Sequence, residues 1–378
     1  MLRSRLIRGG LFILPALAIW MLVPVGAPPA HAEPVFAVHT GYSCGQCHVN
    51  RTGGGMRTPV GSVYGQTTLP ARLLKWREGM NLIPANPQAR FAYGGDARFA
   101  YLYVDSDDYE NLSSFEVLEA NLFGEVRLIP QRLSLYADVT LGPGGTFPRE
   151  LFALVPFRGL NGYVKVGKFL PPYGWRIPDD DAFIREPLGF AFSAPDLGIE
   201  VGIEPGNWSV FLAAVNGNSS IGDDNRSKKF TLLAMRRFGW AQIGLSAAYD
   251  DVAGGNTITT GGLLAGLNFG RLSLLGEGDF RRVRQNEQLA INKSIDSWVG
   301  YIEADLMIAR GMNLKYAHDW GDPNRDILTD QRTRDSLGFE YVPIPFVQVR
   351  AFVRRRDGPP QVPGSRDRQV DVELHLYF

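Results

Sequence analysis

Two cysteines stand three residues apart and are followed directly by a histidine, in the run Cys44-Gly45-Gln46-Cys47-His48. C-x-x-C-H is the attachment motif of c-type haem. Each thiol forms a thioether to one vinyl group, two intervening residues let both sulfurs reach one edge of the ring, and the next residue turns its imidazole onto the iron. The spacing therefore predicts one covalent haem c, attached at Cys44 and Cys47 with His48 as the proximal iron ligand. Two other chemistries use paired cysteines. A dithiol redox pair needs a βαβ setting, which the chain downstream does not offer, and a zinc site needs further Cys or His ligands nearby. For the far side of the iron the short N-terminal stretch offers His39, Met56 and Met80. Met56 leads, because Gly53-Gly54-Gly55 precedes it and lets the backbone fold tightly back over a flat ring; the alternative is that Met56 only packs there.

The segments that must position this motif differ in character. Residues 1–32 read as a secretory signal peptide: Arg3, Arg5 and Arg8 precede an uncharged run over 11–25, and Ala30-His31-Ala32 forms an A-x-A cleavage site. That run is interrupted by Pro15 and Pro24 and is shorter than the roughly 20 residues a spanning helix needs. Cleavage would leave a chain starting at Glu33, with 36 basic against 39 acidic residues. Residues 33–89 form the monohaem segment. A segment this short buries little surface of its own, so it is expected to borrow cover from the larger domain on its C-terminal side.

The remainder, 90–378, carries the signs of an all-β domain. Gly 43 and 11% aromatics in 378 residues suggest short strands and tight turns. A formal net charge of zero supplies no field for nucleic acid, so a role there is excluded. Stretches of 9–12 residues alternate strictly: Val370, Val372, Leu374, Leu376 and Phe378 point one way, Asp371, Glu373 and His375 the other. Leu118, Leu122 and Val126 oppose Glu119, Asn121 and Glu125 in the same manner, and Val347, Val349, Ala351 and Val353 oppose Gln348, Arg350 and Arg354. A soluble sandwich would also alternate, but a barrel in lipid needs an apolar outside, tolerates charges towards a wet lumen and must close on itself.

Connection lengths favour the barrel. Sixteen strands are expected, starting near 90, 115, 131, 148, 161, 195, 207, 228, 240, 258, 271, 294, 311, 333, 345 and 367. Joins after even strands are tight, as at Pro205-Gly206 and Phe238-Gly239, whereas those after odd strands, such as 105–111 and 216–227, are longer and polar. Short periplasmic turns alternating with long external loops mark outer-membrane barrels, and an even count returns both termini to the periplasm. Aromatics near strand ends, including Trp208, Trp240, Trp298, Tyr341 and Tyr377, suit interfacial girdles. The longest join, 171–194, holds Asp179-Asp180-Asp181. It is expected either to fold inward and narrow the pore with carboxylates or to lie outside. Glu277 with Asp279, and Glu303 with Asp305, are expected to tune lumen charge. About sixteen strands leave a lumen wide enough for the haem segment to plug it.

The stretch from Phe36 through Cys44-Gly45-Gln46-Cys47-His48, then Gly53-Gly54-Gly55 and Val60-Gly61, followed by a barrel, resembles the fused monohaem cytochrome–porins of the bacterial outer membrane, whose best-known members are iron oxidases. The resemblance implies an antiparallel transmembrane β-barrel of about sixteen strands plugged by a c-type haem segment, with Cys44 and Cys47 as attachments and His48 as proximal ligand. It further implies electron transfer between an extracellular donor, Fe²⁺ first, and a periplasmic carrier cytochrome, within outer-membrane lipid. A porin-like diffusion channel with a haem plug and an outward electron conduit are the alternatives. No H-E-x-x-H, G-x-S-x-G or P-loop suggests other catalysis.

Overall fold

The computed structural model describes residues 33–74, 89–142, 144–179, 181–217, 223, 225–252, 255–285 and 294–378. The expected signal peptide and Met80 lie outside the described residues.

Sixteen strands form one antiparallel sheet: β1 (Phe91–Ser106), β2 (Leu112–Ile129), β3 (Leu133–Gly142), β4 (Phe147–Phe157), β5 (Gly162–Phe169), β6 (Asp196–Ile203), β7 (Trp208–Val215) and β8 (Lys229–Phe238), then β9 (Ala241–Val252), β10 (Asn256–Phe269), β11 (Leu272–Arg284), β12 (Ser294–Ala309), β13 (Met312–Asp322), β14 (Arg332–Ile344), β15 (Val347–Asp357) and β16 (Asp367–Tyr377). Each strand pairs with its sequence neighbours, and β1 pairs with β16 from Asp96↔Tyr377 to Ser106↔Asp367, which closes the barrel. Every strand begins within three residues of its expected start. The tight joins come after even strands, and three of them turn on glycine in the left-handed region, Gly206 at φ 58 and Gly270 and Gly311 at φ 73. A side chain there would strain the backbone.

The alternation resolves inside out. On β16, Val370, Val372, Leu374 and Leu376 are exposed, while Glu373 and His375 are buried. The same holds across the sheet: Leu263 is 72% exposed, whereas Lys165 and Glu200 are fully buried and paired at 2.8 Å. In water each such exposed leucine would forgo about 1.5–3 kcal/mol of burial. The pattern suits a barrel whose outside meets hydrocarbon, and it excludes two sheets sharing an apolar core. Trp208, Trp240 and Trp298 lie on the outside as expected for girdles. Tyr377 does not: it is buried on the inner face, beneath the Arg57 guanidinium at 4.3 Å.

The N-terminal residues form α1 (Pro34–Thr40), α2 (Cys44–Cys47) and α3 (Pro59–Thr67). They lie against inward-facing side chains of the barrel. Glu33 is held by Lys315 at 2.7 Å and by Arg350; Asn50 donates to Glu150 at 2.8 Å and accepts from Lys165 at 3.0 Å. Contacts with the short-turn end fix which rim they occupy: Arg51 reaches the Asn161 carbonyl at 3.0 Å, Arg310 the Thr67 carbonyl at 2.6 Å, and the Ala71 N–H the Val342 carbonyl at 2.8 Å.

Candidate functional site

The C-x-x-C-H run is folded locally into one helical turn. The His48 N–H donates to the Cys44 carbonyl at 2.8 Å, and the Ser43 N–H donates to the Gln46 side chain at 2.8 Å, so a residue between the cysteines holds the turn. At a separation of three, both sulfurs then share one side of the turn. The chain next reverses: His48 and Arg57 form an antiparallel bridge, the Val49 N–H meets the Met56 carbonyl at 3.0 Å, and the Thr58 N–H meets the Cys47 carbonyl at 2.9 Å. Gly53, Gly54 and Gly55 make the reversal at φ 98, 81 and 65. Three consecutive left-handed residues are open only to glycine at little cost. Thr58 caps α3 by accepting from the Gly61 N–H at 3.2 Å, and Gly61 has no room for a side chain because one would strike the Cys47 carbonyl.

Barrel residues seat α1 opposite the reversal. Gln242 donates to the Ala37 carbonyl at 2.7 Å and Asn268 to the His39 carbonyl at 2.9 Å, while Gly266 of β10 leaves the space that Val38 fills.

Between these parts lies a partly open cavity, about 890 Å³ of empty space with its mouth included. Cys44, Cys47 and His48 all line it, with Phe36, Tyr64 and Leu69 from the N-terminal segment, Trp175 and Arg176 from the long loop, and Phe211, Leu233 and Met235 from β7 and β8. The donor set fits a haem. The cysteines form no disulfide. Burial, with the Glu204 charge adding to it, pushes the Cys44 thiol up to about 11, and burial raises Cys47 too; neither is the acidic thiolate of a dithiol redox motif. Burial, with the nearby Arg57 charge, lowers His48 to about 4, so its imidazole is neutral at pH 7, the form that binds a metal. Its buried Nδ1 has no hydrogen-bond partner among the described residues. Among the described residues no group of three His, Cys, Asp or Glu side chains forms a metal cluster.

The distal candidates separate. Met56 is buried in the hydrophobic core with its N–H on the Tyr136 hydroxyl at 3.0 Å, and it does not line the cavity; neither does His39. The methionine on the cavity wall is Met235, a residue 179 positions beyond Met56 that no local pattern singles out.

The long loop folds inward. Tyr173 donates to Asp279 at 2.7 Å, the Trp175 N–H to Glu277 at 2.6 Å, the Gly174 N–H to Ser246 at 2.9 Å and the Phe183 N–H to Asp319 at 2.9 Å. Asp179 is not an open carboxylate: it pairs with Arg334 at 3.0 Å and lies 3.7 Å from Arg354. Burial opposes its charge, but those two arginines prevail and hold it below the ordinary value. Glu277 and Asp279, expected only to tune lumen charge, anchor this loop. Glu303 and Asp305 each sit 3.5 Å from Lys315. Beyond the loop a second cavity of about 2,010 Å³ is lined by Asp179, Asp181 and Phe192 together with charges of both signs, including Glu119, Arg149, Glu340, Arg354 and Glu373.

A closed sixteen-strand antiparallel barrel with tight turns at one end and a loop folded inside defines the porin architecture. The chain is similar in structure to an anion-selective porin from Comamonas acidovorans (TM-score 0.61, 14% identity, 76% of this chain and 99% of that one). It is similar also to outer-membrane-expressed OmpT of Vibrio cholerae (0.58, 13%, 76% and 97%) and to the outer membrane channel DcaP of Acinetobacter baumannii (0.55, 11%, 76% and 97%). At these identities the likeness concerns the fold, and about a quarter of the chain falls outside each match. No protein-family model and no curated protein sequence matches the chain.

Proposed function

We propose that the chain is an outer-membrane electron-transfer protein carrying one c-type haem, bound through Cys44 and Cys47 with His48 as proximal ligand. It moves electrons between an extracellular donor, Fe²⁺ first, and a periplasmic cytochrome. The cavity in which both thiols and the imidazole meet the inner faces of β7 and β8 carries this reading. When bound, the haem supplies one iron that exchanges a single electron.

The chain's residues bind, orient and shelter it. Phe36, Leu69, Phe211 and Leu233 exclude water, His48 offers a neutral imidazole, and Met235 offers a thioether from the barrel wall. Seated in the lumen at the short-turn rim, the haem would face the periplasm directly and the external side through the larger cavity beyond the loop, across an apolar band about 25 Å tall. Asp181 and Glu116 line the larger cavity and favour the approach of a divalent cation.

The test is a redox-titrated absorbance spectrum of the purified chain. Fe²⁺ is expected to produce the reduced α-band, and His48→Ala to abolish it; a normal reduced spectrum in that variant contradicts the assignment. The charged cavity of about 2,010 Å³ favours a second reading, a diffusion channel whose haem segment acts as a plug. Solute flux that is unchanged by loss of haem, with no reduction by Fe²⁺, would select it.

A further inference from the structure

We infer that Arg57 and Arg176 hold the two carboxylate groups of the haem, so that the N-terminal segment and the inward loop close on the cofactor together. The inference rests on the proposed haem attachment. A guanidinium withdrawn from water needs an anion or a full set of acceptors. Arg57 borders the cavity at His48, its guanidinium lies 4.3 Å over the Tyr377 ring, and its buried Nε has no hydrogen-bond partner among the described residues. Arg176 lines the same cavity and, among the described residues, donates to the carbonyls of Gly53 at 2.7 Å and Leu170 at 3.0 Å.

Among the described residues neither has a carboxylate within 4.0 Å, whereas Arg51, Arg98, Arg149 and Arg334 do, at 3.1, 3.5, 2.7 and 2.8 Å. The acid on the cavity wall, Glu33, is already engaged by Lys315 and Arg350. The cavity therefore presents two guanidinium groups that no described carboxylate pairs with directly, although the Asp96 charge acts on Arg57 from further off; they match in number and sign the two propionates that haem c retains. A guanidinium fork binds a carboxylate through two parallel hydrogen bonds. Arg176 also joins the loop to the glycine reversal, where a side chain at Gly54 would lie 3.7 Å from its Cδ. Both arginines are positioning residues: they fix the ring's tilt, and their charge favours the ferrous state.

The experiment is a midpoint-potential titration between pH 5 and 8 of the full-length chain in detergent, with Arg57→Gln, Arg176→Gln, the double variant and the corresponding lysine variants. With haem still covalently attached, each glutamine variant is expected to show a lower potential, and the double variant the lowest. Its potential should also become more pH-dependent, because a propionate without its cation takes up a proton on reduction. Lysine should recover most of the potential. Haem-loaded glutamine variants that match the wild type in potential and pH slope would overturn the inference. If they do not assemble, the lysine variants decide: a potential near the wild type supports it, and a loss as large as full removal of the charge overturns it. A wild-type chain without covalent haem would instead defeat the haem reading itself, a failure visible before any variant is compared.

Discussion

At the scale of single residues, the convergence of Cys44, Cys47 and His48 was legible because the three are contiguous and need only one helical turn to meet. Arg57, Arg176 and Met235 were not, since they meet only after the loop folds inward and the sheet closes. The distal side can be read by comparing two methionines. Met235→Leu should alter the reduced and oxidised spectra of the haem-loaded chain. Met56→Ala should cost about 2–5 kcal/mol of stability, as for other buried large-to-small changes, and leave the band positions in place. Spectral change from the second variant and none from the first would return the ligand to Met56. Replacing Gly55 by Ala forces a left-handed non-glycine residue into contact with the Tyr136 hydroxyl. It is expected to lower stability by about 1–3 kcal/mol, measured by thermal unfolding.

At the scale of elements, the strands were legible almost to the residue, because period-two alternation and turn residues act locally. The direction of loop 171–194 was not. Its partners are Ser246, Glu277, Asp279, Asp319 and Arg334 on four different strands, and sequence separation hides them. Asp179→Asn is expected to loosen the loop by about 1.5–3 kcal/mol, the range for hydrogen bonds to charged groups, and to raise single-channel conductance; unchanged conductance would place the constriction elsewhere. The lowered Asp179 value sets the pH dependence. A carboxylate held below its unfolded value stabilises the folded form above that unfolded value, and the contribution is lost as pH falls through the folded one. The Asp179 contribution to loop docking should thus be whole at pH 7 and weaken only below about 4, which limited proteolysis of the wild type against Asp179→Asn across that range would report.

At the scale of the whole molecule, the inside-out pattern decides between water and lipid. Leu263 lies midway along β10 and is 72% exposed. Arginine there should cost about 2–4 kcal/mol for a barrel whose midplane faces hydrocarbon and almost nothing for a surface in water; folding titrations into lipid vesicles distinguish the two. Barrel and N-terminal segment are coupled, since the cavity takes walls from both and the short-turn rim holds residues 67–72. The most direct test of that coupling is the intact mass of the chain isolated from outer membranes. One haem per polypeptide, joined through both Cys44 and Cys47 in a heat-modifiable barrel, is the predicted result. A folded barrel whose two thiols remain free and react with alkylating reagent would contradict it.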